Sequence, residues 1–192
     1  YDDRLKIGGV KITIDGSPQG RTASFTTPYR TGGPGGEKDW RGELTFPQET
    51  INQMVKRVYE MGVPLNLHAN GDGAIDAFLA AHEFAAADDL ARDRRVTMIH
   101  AQFTRKDQLD KYLQYRIRPS FYTLHTYYFY EAHLANRGAE QARCACAVDG
   151  ACAFLAADGT CTLHARGGPA AKPLGCRLFP ADFADDGVAI RI

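Results

Sequence analysis

The stretch Val63-Pro64-Leu65-Asn66-Leu67-His68-Ala69-Asn70-Gly71-Asp72 is short and apolar, ends in a histidine, and passes at once into Asn-Gly-Asp turn chemistry. A second run follows the same grammar, Arg95-Val96-Thr97-Met98-Ile99-His100-Ala101-Gln102. Each is followed by residues of helical period, so the repeating unit reads strand, turn, helix, and such units stack into a parallel sheet. In a parallel barrel the chemistry collects at the carboxyl ends of the strands, which is where the two histidines stand. A neutral imidazole there is a good ligand for zinc and similar ions. The plainer alternative is a pair of satisfied histidines in an ordinary α/β core.

Reading outward, residues 6–14 alternate toward a strand through Ile7, Val10, Ile12 and Ile14, and Asp15-Gly16-Ser17-Pro18 breaks it. Residues 19–46 are polar and glycine-rich around Thr31-Gly32-Gly33-Pro34-Gly35-Gly36, and a connector that long inside a compact domain is expected to be a lid or binding loop. Pro47 opens a helix in which Ile51, Met54, Val55, Val58 and Met61 recur at helical spacing, and Gly62 stops it. Asp72 is expected to cap a second helix with Ile75, Phe78, Leu79 and residues 84–87 on its buried stripe and His82 at the stripe's edge. After the charged turn 88–95 and the strand ending at His100 come a helix over 104–115 capped by Thr104, a strand over 117–122, and a helix over 131–142. The order βαβαβαβ up to residue 122 predicts a right-handed parallel sheet. With 192 residues against the roughly 250 of a complete (β/α)₈ barrel, any barrel here is expected to be partial.

Lysine plus arginine and aspartate plus glutamate number 23 each and are mixed along the chain. Such balance lacks the electrostatic footprint of a nucleic-acid or anionic-membrane binder, and no apolar run is long enough to span a bilayer. A soluble, cytoplasmic protein with a small-molecule substrate is the expectation. All five cysteines, Cys144, Cys146, Cys152, Cys161 and Cys176, fall in the last quarter. An odd count without a secretory signal argues against a disulfide framework and leaves metal binding or buried thiols.

Four pieces in order carry a resemblance. They are Val10-Lys11-Ile12-Thr13-Ile14-Asp15-Gly16-Ser17 with Arg21-Thr22-Ala23; His68-Ala69-Asn70-Gly71-Asp72 with Ala74-Ile75-Asp76; Ile99-His100-Ala101-Gln102; and Pro119-Ser120 leading to His125-Thr126-Tyr127-Tyr128. Residues 4–143 thereby resemble the amidohydrolase superfamily, in the branch that includes N-substituted formamide deformylase. The resemblance implies the central strands of a (β/α)₈ barrel, with Lys11, His68 and His100 at a divalent metal site, zinc being the expected ion. It further implies hydrolysis of an amide-type C–N bond other than a peptide bond by metal-activated water. Lys11 would serve as a carbamylated, anionic ligand, and His125 would contact substrate or the developing oxyanion. Arg21 and Asp72 are candidates to bind substrate. The family's first-strand His-x-His pair and last-strand aspartate have no counterpart in this sequence, so negligible hydrolysis is expected from the chain alone. Ile99 stands where the pattern commonly has glutamate, and Asn70 where it commonly has an apolar residue.

Residues 144–192 resemble a different family. Gly150-Ala151-Cys152-Ala153-Phe154-Leu155, Asp158-Gly159-Thr160-Cys161-Thr162-Leu163-His164 and Lys172-Pro173-Leu174-Gly175-Cys176-Arg177-Leu178-Phe179-Pro180 are similar to the zinc- or iron-chelating cysteine-cluster proteins that include flagellin lysine-N-methylase. That resemblance implies Cys152, Cys161 and Cys176 as thiolate ligands for zinc or an iron-sulfur cluster, in a small irregular lobe of their own. The organisation expected is therefore a partial barrel over 1–143 and a cysteine-rich segment over 144–192. The rival function is a non-catalytic metal-binding module on an α/β remnant.

Overall fold

The computed structural model of the chain describes residues 8–122 and 124–138, and beyond them only residues 147–148, 151–152, 165, 184–185 and 190–191; the side chains of 124–128, 130, 131, 147–148, 151–152, 184–185 and 190–191 also lie outside it. Four parallel strands, β1 (Val10–Thr13), β2 (Leu65–Ala69), β3 (Val96–His100) and β4 (Arg118–Phe121), form one sheet in the order of the sequence. Helices α1 (Gln48–Met61), α2 (Asp72–Ala85) and α3 (Lys106–Gln114) connect them, and α4 (Leu124–Arg137) follows β4. Sequential parallel neighbours joined by helices are the unit of a βα barrel wall. The short pairs β5 (Ala147–Val148) with β6 (Ala151–Cys152), and β7 (Ala184–Asp185) with β8 (Ile190–Arg191), are antiparallel and stand outside that sheet. Cys152 ends β6; Cys161 and Cys176 lie outside the described residues.

Strand parity decides which face is core. Ile12, Leu65, Leu67, Ala69, Val96 and Met98 are buried in one cluster with Ile51, Val55, Val58, Ile75, Phe78 and Leu79 of the helices. Burying such aliphatic side chains contributes about 1.5–3 kcal/mol each. The intervening positions, Lys11, Thr13, Asn66, His68, Thr97 and Ile99, are exposed or half-buried on the opposite face. Gly62 terminates α1 in the left-handed region at φ 66° and donates its N–H to the Tyr59 carbonyl, the C-terminal stop that glycine supplies without a Cβ penalty.

Several local expectations are corrected. Asp72 does not cap α2: Gly71 is the N-cap, and Asp72 is the first helical residue. Thr104 does not cap α3 either; its hydroxyl donates to the Ala101 carbonyl at 2.6 Å, while Gln108 Oε1 reaches back to the Arg105 N–H at 2.9 Å. Helix α4 begins at Leu124, so the aromatic run is helical, and it ends before Gly138, at φ 79°. Phe84 is 44% exposed rather than part of the stripe.

His82 is the fully buried residue that sequence placed at an edge. Its Nε2 lies 3.1 Å from the Leu90 carbonyl oxygen, which can only accept, so Nε2 carries the proton and Nδ1 accepts from the Tyr59 hydroxyl at 2.7 Å. The ring stacks on Tyr115 with centroids 4.9 Å apart. Burial pulls its pKa below the ordinary value of 6.5. The unfolded chain therefore binds a proton that the fold refuses, and the stability due to neutral His82 is lost as pH falls below about 6.5. Asp15, raised to about 7 by burial, contributes the opposite slope, so the comparison must be differential. Urea unfolding at pH 7 and pH 5 is expected to show a larger acid loss in wild type than in His82→Gln. Parallel pH profiles would show that His82 is not linked to stability.

Candidate active site

The two histidines that end β2 and β3 are not equivalent in parity. His100 pairs in register with Ala69, and it is Ile99 that pairs with His68. Simple alternation would turn His100 toward the helices and His68 away from them. The chain breaks the alternation: His100 and Ala101 both adopt positive φ, 69° and 47°. Non-glycine residues in this region cost about 1–3 kcal/mol each and persist where surroundings enforce them. Here the Ala101 N–H donates to the Ala69 carbonyl at 3.0 Å and the Phe103 N–H to the Asn70 carbonyl at 3.0 Å. The result brings the His68 and His100 rings edge to face with centroids 4.6 Å apart. Tyr122, just past β4 and 47% exposed, lies edge to face with His100, the ring centroids 6.2 Å apart.

Asp15, immediately past β1, is 2% exposed. Its carboxylate accepts three backbone N–H groups, from Asn70 at 2.9 Å, Gly71 at 2.8 Å and Ser24 at 3.1 Å. Burial pushes the carboxyl up to about 7 against the pull of those donors. Its Oδ1 lies 3.7 Å from His68 Nε2. In the sequence Asp15 stands in the strand break and in the first of the resembling motifs, without a site role of its own. The available signal was a carboxylate placed at the same sheet edge as the two histidines.

The long connector after β1 forms a fixed wall, with a small core of Ala23, Phe25, Tyr29 and Phe103 against which Trp40 packs. The N–H groups of Gly73 and Ala74, at the start of α2, donate to the Ser24 carbonyl at 3.0 and 3.2 Å, using donors that a helix N-terminus leaves open. A Cβ on Gly71 would fall 1.9 Å from that same carbonyl oxygen. From α4, the Asn136 amide donates to Pro18 and accepts from the Thr31 hydroxyl, and Arg137 donates to the Thr27 and Pro28 carbonyls with its guanidinium 3.8 Å from the Phe25 ring centre. Asn136 and Arg137 carried no signal in the sequence, because their partners lie over a hundred residues away.

The predicted residues divide accordingly. His68 and His100 meet. Lys11 is exposed on the His68 face, in register with Asn66 and so two residues short of His68. His125 lies in the first turn of α4, its side chain outside the described residues. Arg21, at φ 59°, directs Nη1 to the Thr31 and Gly32 carbonyls at 3.4 and 3.5 Å. Asp72 accepts from the Thr26 N–H at 3.0 Å, from the Thr26 hydroxyl at 2.5 Å and from Arg105 at 3.0 Å, so its carboxylate ties the loop to α2 and α3. Among the described residues no three His, Cys, Asp or Glu side chains gather closely enough to hold an ion by themselves. The donor chemistry fits part of a cation site: two imidazoles that converge, with a carboxylate oxygen beside one of them.

The amidohydrolase family profile matches residues 1–159. The chain belongs to the amidohydrolase family. Curated relatives of this amidohydrolase chain include the putative amidohydrolase YtcJ of Bacillus subtilis, 28% identical over 107 residues, and the protein LONG AFTER FAR-RED 3 of Arabidopsis thaliana, 31% identical over 113. The matches cover 56% and 59% of this chain but only 19% and 18% of those proteins. Among solved structures, uncharacterized metal-dependent hydrolases of Pyrococcus furiosus and Pyrococcus horikoshii superpose with TM-scores of 0.59 and 0.58 at 29% and 26% identity. Each superposition covers 73% of this chain, and 27% and 26% of the respective hydrolase. The parallel α/β sheet is thus a portion of a barrel-like amidohydrolase fold. No helix among the described residues is long and apolar enough to cross a membrane.

The backbone at Ala101 is open to a direct test. Ala101→Gly, which accepts positive φ freely, is expected to stay within about 1 kcal/mol of wild type, whereas Ala101→Val at this fully buried position should lose about 2–4 kcal/mol in urea unfolding. Equal losses would show that the left-handed conformation at this position does not govern stability.

Proposed function

We propose that this chain forms the central part of a metal-dependent amidohydrolase that hydrolyses a non-peptide C–N bond, of amide or formamide type, in a small molecule. The observation that carries the reading is the convergence of His68 and His100 at the carboxyl edge of a parallel sheet, achieved through a left-handed break in β3. Strain spent on bringing two imidazoles together is more readily explained by a shared ligand than by packing. His68 and His100 would hold a divalent ion, with zinc suited to the nitrogen donors, and Lys11 would join them as its carbamate from the same sheet face. When bound, such an ion lowers the pKa of a coordinated water and polarises the substrate carbonyl.

The chain's own residues do the rest. The Asp15 carboxyl sits beside His68 as a polar neighbour at the edge of the site. His125, at the start of α4, is assigned to the substrate or its developing oxyanion. Arg21 has guanidinium donors beyond Nη1 to offer an anionic substrate group, while Asp72 acts through the wall it holds with Thr26 and Arg105. That wall, pinned by α2 and α4, limits water at the site and shapes what enters it.

Calorimetric zinc titration of the chain with its cysteines blocked is the test. One ion per chain is expected, weakened at least about tenfold in His68→Ala and in His100→Ala, the loss that follows from removing one ligand. Lys11→Arg, which keeps the charge and cannot be carbamylated, is expected to weaken binding as well. Zinc affinity unchanged in both histidine variants would overturn the reading.

A further inference from the structure

At the amino end of the strands, the edge opposite His68 and His100, a cleft of about 250 Å³ opens between the C-terminal half of α1, the end of α2 and the turns that lead into β2 and β3. The charges around it do not balance in place. Lys56, Arg92, Arg94 and Arg95 line the cleft, beside Glu60, Asp88 and Asp93. Of these cations only Arg94 has a carboxylate partner among the described residues, Asp88 at 2.8 Å. Glu60 and Asp93 are taken by Arg57 at 3.5 Å and Arg118 at 2.5 Å, and neither of those arginines lines the cleft. The Lys56 ammonium has the Phe84 ring 5.9 Å away. Arg95 gives one guanidinium nitrogen to the Gly62 carbonyl, one use of a group with five N–H donors. Lys56, Arg92 and Arg95 thus line one concave space without a carboxylate to answer them.

Arg95 is also held in the left-handed region, at φ 55°, with the Asp93 side chain accepting its N–H at 2.8 Å. Glycine takes up that conformation without strain, and the exposure of Arg95 leaves core packing no part in the choice. We propose that the cleft is a second ligand site, for a small phosphomonoester whose phosphate is held by Lys56, Arg92 and Arg95 and whose organic body lies against Val63, Ala85 and Tyr59. Phosphate answers three cations better than a carboxylate does, because it carries close to two charges near neutral pH and offers three strong acceptor oxygens. The cleft volume is roughly eight times the share of one water in the liquid, more than a bare phosphate fills, and the apolar residues of the lining suit a carbon body. Strands β2 and β3 are each five residues long, about 16 Å, so the site stands apart from the two histidines and does not rest on the metal-site reading.

The test is calorimetric titration of the metal-free full chain at about pH 7.5 and low salt, with phenyl phosphate and, separately, inorganic phosphate. One phenyl phosphate per chain is expected, bound at least about threefold more tightly than inorganic phosphate and weakened by added sodium chloride, which screens exposed cations. Lys56→Gln and Arg92→Gln are each expected to weaken it at least about fivefold, the loss of one charge-assisted contact; both positions are exposed, where such changes leave a fold standing. Lys106→Gln removes the same charge from a side chain already paired with Asp110 and should leave binding unchanged. Arg95→Gly relieves the backbone and removes the guanidinium, so phenyl phosphate should bind at least about fivefold more weakly with no fall in the urea midpoint. A lower midpoint with unchanged binding would assign Arg95 to the fold alone and overturn its role. Absence of phenyl phosphate binding, binding undiminished in both Lys56→Gln and Arg92→Gln, or tighter binding of inorganic phosphate than of phenyl phosphate overturns the proposal.

Discussion

The buried carboxylate of Asp15 is the interaction on which the upper edge of this sheet depends. It accepts from Ser24 in the long connector and from Asn70 and Gly71 past β2, joining three segments that the sheet ladder does not reach. A carboxylate withdrawn from water is expensive unless its oxygens are satisfied, and three N–H donors supply that satisfaction. The same contacts fix the level at which Ser24 crosses the N-terminus of α2, and so the height of the wall. With Asp15 placed, His68 and Asn70 follow, since both are within two residues of a backbone N–H that the carboxylate holds.

A second constraint acts from the other side. A parallel sheet sends alternate side chains to opposite faces, and two strand-end histidines at unlike parity should never meet. The positive φ values at His100 and Ala101 settle the conflict locally. The strain is held by the Ala101 and Phe103 N–H groups on carbonyls of the β2 end, so β2 and its turn act as the template on which the end of β3 is bent. The site is therefore a product of two neighbouring turns and of neither strand alone.

The connector between β1 and α1 is the place where glycine-rich composition misleads. It has scarcely any repetitive structure, yet Phe25, Tyr29 and Trp40 give it a core, and Asn136, Arg137 and Asp72 reach it from two helices. A loop so tied opens only when several buried contacts are released together. It contributes a fixed shape to the site and is not built as a hinged lid.

Much of this was legible in the amino-acid order, and for a stated reason. The apolar runs at 63–67 and 96–99, the helical spacing of Ile51, Val55 and Val58, and the stop at Gly62 are local patterns, and local sterics and burial are enough to turn them into strands, helices and a cap. The βα repeat then restricts the topology to parallel neighbours in sequence order, and the histidines at the strand ends pointed to a site. The remainder depended on partners distant in sequence. That His82 is core and not edge follows from Tyr59 and Tyr115 meeting it across helices; that Asp72 serves the loop follows from Thr26, 46 residues earlier. The bend that lets His100 reach His68, and the carboxyl and amide that stand beside His68, arise only when three strand ends are stacked side by side. Sequence by itself set the elements and the edge of the sheet where chemistry belongs. Only the tertiary structure decided which atoms meet there, because hydrogen bonds and ring contacts are made in space between segments whose separation along the chain carries no pattern.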